Sequence, residues 1–91
     1  MAKKQLTDSE RYRQILESRG IGWKDCQIVS LVFPDSGKPK SFHFELMLHN
    51  VPHYLFDSCE RGAKVVIPKD DMAIFDRVLD LASLFGGKLP R

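Results

Sequence analysis

Over residues 41–49 the side chains change character at every step. Phe42, Phe44, Leu46 and Leu48 are apolar, and His43, Glu45, Met47 and His49 fall between them. A two-residue period is that of a β-strand, which puts one face on a core and turns the other toward solvent or a partner. This rhythm assigns the four apolar groups to the inside and the imidazoles, Glu45 and Met47 to the outside.

The flanking sequence extends the same expectation. Residues 26–33 carry Ile28, Val29, Leu31, Val32 and Phe33 on both faces, as an interior strand does. Between the two runs, residues 34–40 form a polar turn in which Gly37 can adopt positive φ and the prolines stop the ladder. Lys38 and Lys40 stand at its tip, and an antiparallel hairpin is expected. Residues 63–68 read as another strand, ended by Pro68. Residues 51–61 read two ways. As a strand, Tyr54 and Phe56 oppose His53, Leu55 and Asp57; as a helix, Asn50 caps it and Gly62 stops it.

Two helices bracket these strands. Thr7 and Glu10 fit a capping box, with Tyr12, Ile15 and Leu16 at helical spacing behind them and Gly20 at the stop. The first helix is expected over residues 7–19. Asp70 and Asp71 suit the start of a last helix over residues 70–85, on which Met72, Ile74, Phe75, Val78, Leu79, Leu81, Ala82 and Phe85 share one half. The expected fold is α+β: a small antiparallel sheet of three or four strands covered on one face by the N-terminal and C-terminal helices. Its element order is α-β-β-(β or α)-β-α. That layout leaves the other sheet face bare. Phe33, Phe42, Phe44, Phe75 and Phe85 are expected in the core, whereas Trp23, Tyr54 and Phe56 are candidates for exposure.

Ninety-one residues hold one domain and no second core, with residues 1–5 and 88–91 expected to fray. Fourteen basic residues are nearly matched by twelve acidic ones, for a net charge of +2. Proteins that grip duplex nucleic acid by its backbone usually carry a larger excess. Two cysteines are too few for a disulfide framework, no apolar run reaches a membrane-spanning length, and residues 1–5 lack the apolar stretch of a secretory signal. A cytoplasmic setting with free thiols and no membrane contact is expected.

The chemistry-bearing residues do not assemble into a motif. His43 and His49 would lie about 20 Å apart along a strand, too far to share an ion. Neither Cys26 nor Cys59 has a nucleophile signature, and Gly20-Ile21-Gly22 precedes a strand where a phosphate cradle would follow one. No catalytic residue, metal or cofactor is assigned. The α-β-β-β-α order is shared by double-stranded-RNA-binding domains and small toxin ribonucleases, a likeness of layout. In the former, a lysine cluster opens the last helix, where this chain has Lys69-Asp70-Asp71.

The expected function is therefore non-enzymatic: docking on a larger protein or ribonucleoprotein to block or regulate it. Inhibitors of phages and mobile elements, anti-CRISPR proteins among them, fall in this size class. RNA binding or cleavage is the alternative. The expected contact surface comprises Trp23, Lys38, Lys40, His43, Glu45, Met47 and His49, and an exposed edge strand could also pair two copies.

Overall fold

Helix α1 (Asp8–Ser18) opens a computed structural model that describes residues 7–90. A single 3-10 turn, Trp23–Asp25, leads into β1 (Cys26–Val32). Then come α2 (Lys38–Leu48), β2 (Leu55–Cys59), β3 (Gly62–Pro68) and α3 (Met72–Ser83). The sheet order is β1-β3-β2, and β3 runs antiparallel to both neighbours. β1 and β2 are therefore parallel to each other, with β3 between them and α2 as the crossover. The α+β class and the three-stranded antiparallel sheet agree with the sequence reading. The expected fraying of residues 1–5 lies outside the described residues, whereas Lys88, also expected to fray, pairs with Val32.

The capping box at the start of α1 is formed: the Glu10 amide donates to Thr7 Oγ1 (3.2 Å) and the Thr7 amide donates to Glu10 Oε1 (2.9 Å). The three α-helices among the described residues end in the same way. Gly20, Asn50 and Gly86 take positive φ (81°, 53° and 78°), and the next residue's amide reaches back into the helix. The bonds are Ile21 to the Leu16 carbonyl (2.9 Å), Val51 to Leu46 (2.9 Å) and Gly87 to Ala82 (2.9 Å).

Residues 41–48 are helix with His49 as the C-cap, not strand, and this corrects the hairpin expected with β1. Phe42 and Leu46 are four apart, so a helix puts them on one side as readily as a strand does. The ends decide. Pro39 fits the first helical turn, where its missing N–H costs nothing, and Asn50 supplies the left-handed stop. Because Asn50 closes α2, it cannot start a second helix, and residues 55–59 take the strand alternative.

Alternation along β3 sends Ala63, Val65 and Ile67 to one face and Lys64 and Val66 to the other. On the first face they pack with Val29, Leu31, Phe33, Phe42, Leu46, Val78 and Ala82 beneath α2 and α3. On the second, Val66 packs with Tyr12 and Leu16 of α1, joined by Ile28, Tyr54 and Leu55. The helices thus cover opposite faces rather than one. The reason is α2: it occupies, beside α3, the place where α1 was expected. No sheet face is left bare, so the surface proposed from the alternation does not exist in that form.

Candidate functional site

Helix α2 carries apolar groups on both its inward and its outward side. Pro39, Phe42 and Leu46 face the sheet, and Phe42 and Leu46 are 0% exposed. Opposite them Phe44 is 61% exposed, Met47 55% and Leu48 60%. With Lys40, these residues recur at i, i+4, i+7 and i+8, one continuous stripe on the solvent side. Each of the three apolar side chains offers roughly 1–2 kcal/mol of burial to whatever covers it. The stripe has positive charge at its start: Lys40 is exposed, Lys38 half-buried, and the first turn holds no acid.

The two flanks of α2 are anchored. On one, the His43 ring lies parallel to Phe56 of β2, with centroids 4.0 Å apart and planes at 3°. Phe56 continues to Phe42 (6.0 Å) and on to Phe33 (5.4 Å), so His43 caps a file of aromatics leading into the core. The His53 ring stands nearly perpendicular to His43 at 5.9 Å, held by its Nδ1, which donates to the Val51 carbonyl (2.8 Å). Burial first, and His53 second, hold His43 below the ordinary histidine value of 6.5. An imidazolium on the Phe56 face would gain about 0.5–1 kcal/mol by cation–π attraction. Burial of the charge outweighs that gain, and His53 adds to the cost. On the other flank, His49 Nε2 donates to Glu45 Oε1 (3.2 Å), beside a recess shared with Ala73, Ile74 and Arg77 of α3.

Other polar groups link α1 to the sheet. Tyr12 donates its hydroxyl to Asp57 (2.5 Å), Arg11 bridges Asp57 (3.3 Å) and Asp8 (2.8 Å), and Lys64 meets Asp8 (2.7 Å), tying α1 to β2 and β3. Cys26 donates weakly to the Gly22 carbonyl (3.4 Å), and burial with the nearby Asp25 pushes its thiol up, away from nucleophilic character. Cys59 is free and exposed. Among the described residues, no three of the His, Cys, Asp and Glu side chains gather as a metal cluster would. Nor is any helix long and apolar enough to cross a membrane.

Of the seven residues singled out from sequence, six fall on α2 or its C-cap. Lys40 and Met47 share the outward stripe. His43 sits on the β2 flank, Glu45 and His49 form their own pair on the α3 flank, and Lys38 lies at the helix start. Trp23 is elsewhere: it is half-buried with Ile21 against the Tyr12–Leu16–Val66 cluster. Tyr54 and Phe56 are likewise half-buried in the two clusters. The stripe's two bulkiest members, Phe44 and Leu48, were missed because alternation assigned them to the core. A helical wheel over residues 38–48, prompted by Pro39 and Asn50, would have found them. Compared with known proteins, the chain matches no family model, no curated protein and no solved structure.

Proposed function

We propose that this chain is a non-enzymatic binding protein that docks through α2 on a larger protein and blocks or regulates it. The observation that carries this reading is the exposure of Phe44, Met47 and Leu48 together on one helix face. Large apolar groups grouped on a surface characterise interfaces, and aromatic anchors dominate their energetics. Lys38 and Lys40 favour a partner whose apolar groove has an acidic rim, so that charge steers the encounter and the stripe supplies affinity. Inhibitors made by phages and mobile elements act in this manner at this size, and the proposal places the chain in that functional class. The RNA alternative has lost its basis in layout, since the order is α-β-α-β-β-α, and RNA becomes one outcome of the test.

The experiment is affinity capture from the organism that carries the protein, with and without ribonuclease, using wild type and a Phe44→Ser/Leu48→Ser variant. Wild type should retain one large protein, and the variant should lose it by roughly tenfold or more while keeping its circular dichroism. Equal capture by the variant, or retention of RNA alone, overturns the reading.

A further inference from the structure

The stripe lies on the outward side of α2; His43 lies on its edge and faces β2. His43 meets Phe56 from β2 and His53 from the connector after α2. The surrounding charges are unsuited to neutralising a proton there. Asp57, next to Phe56, points to the opposite sheet face and is taken by Tyr12 and Arg11. Glu45 on α2 is taken by His49. Lys40 stands one turn before His43 on its own helix, with Met47 one turn after. Among the described residues, then, the second imidazole is the titratable group beside the ring, and no free carboxylate stands there.

We propose that His43, stacked on Phe56 and edged by His53, forms a proton-operated clasp between α2 and β2, closed while the His43 ring is neutral and loosened when it takes a proton in weak acid. The stack on Phe56 joins helix to strand, and the edge contact with His53 joins the helix to the connector that returns to β2. Protonation of His43 puts a charge on a half-buried ring at the end of an aromatic file, where burial first and the neighbouring His53 second disfavour it. The direction of the pH dependence follows. His43 holds its proton less tightly in the folded chain than in the unfolded one. The clasp therefore contributes fully above about 6.5, and its contribution is lost as pH falls from there through the lower folded value. That acid also releases a docked partner rests on the docking reading; the clasp itself does not.

The test uses the isolated chain. Ring-proton NMR should show His43 titrating below 6.5. Urea unfolding at about pH 7.5 and about pH 5 should show the unfolding constant of wild type rising by roughly tenfold in acid. His43→Phe keeps a ring on Phe56 without a titrating group and should lose most of that rise; His53→Gln, which removes the second imidazole, should lose part of it. His43 titrating at or above 6.5, or both variants keeping the full acid sensitivity, overturns the clasp. These readouts need no partner, so failure of the Phe44→Ser/Leu48→Ser capture experiment would leave them standing, and the two ideas fail separately.

Discussion

Tyr12 is a buried phenol on α1 whose hydroxyl reaches across the sheet face to Asp57 on β2. Its burial, together with the Asp57 carboxylate that accepts its hydrogen bond, raises the hydroxyl above its ordinary value of 10.0. Removing the hydroxyl deletes one hydrogen bond to a charged group and leaves Asp57 the Arg11 contact. Tyr12→Phe should accordingly cost about 1–2 kcal/mol in urea unfolding at neutral pH. The sign in alkali is also fixed. The unfolded chain releases this proton near 10, whereas the folded chain keeps it to higher pH, so the contribution is complete below that value and falls as pH rises past it. Wild type should lose stability in alkali faster than Tyr12→Phe; parallel losses would show that the hydroxyl does not titrate with folding. Tyr12 as a core residue was legible from its spacing with Leu16. Its bond to Asp57 was not, because the two lie forty-five positions apart and nothing local pairs them.

At the scale of elements, the sequence was legible wherever a helix or strand carried its own start and stop. The capping box, Gly20 and Gly86 placed α1 and α3 to within a few residues, and Pro68 closed β3. Helix α2 was lost because the spacing of Phe42 and Leu46 satisfies both periods, and because Asn50 suits a helix start as well as a helix stop. The interior alternation of an apolar helix imitates a strand when its exposed side is apolar too. The same ambiguity hid the candidate site, since Phe44 and Leu48 count as core in one geometry and as surface in the other. Mutagenesis separates the two. Phe42→Ala should cost about 3–5 kcal/mol, as a cavity does in a packed interior. Phe44→Ala should stay within about 0.5 kcal/mol of wild type, since its ring already sits in water. In a strand the two losses would be alike, so near-equal values from urea unfolding would reject α2 as a helix.

For the whole molecule, the consequence of putting α1 on one face and α2 with α3 on the other is that β3 belongs to both cores. Val65 and Ile67 face one and Val66 the other, along a strand whose backbone pairs on both sides. Neither core is large. The α1 side has three fully buried residues at its centre, too little apolar surface to hold a helix on a sheet that is itself loosening. Because the strand that supports Val66 is ordered by the packing of its neighbours Val65 and Ile67, the two faces should unfold together. Trp23 reports on the α1 face by fluorescence, since its indole packs against that cluster alone. Leu46→Ala, on the opposite face, should destabilise by about 2–5 kcal/mol and move the Trp23 transition by the same amount as the far-ultraviolet circular dichroism transition. Leu16→Ala, on the near face, should move both as well. A Trp23 midpoint that stays in place while the circular dichroism midpoint falls would mean that α1 and the strand edge beneath it fold as a unit of their own. The central strand would then join the two cores without coupling them.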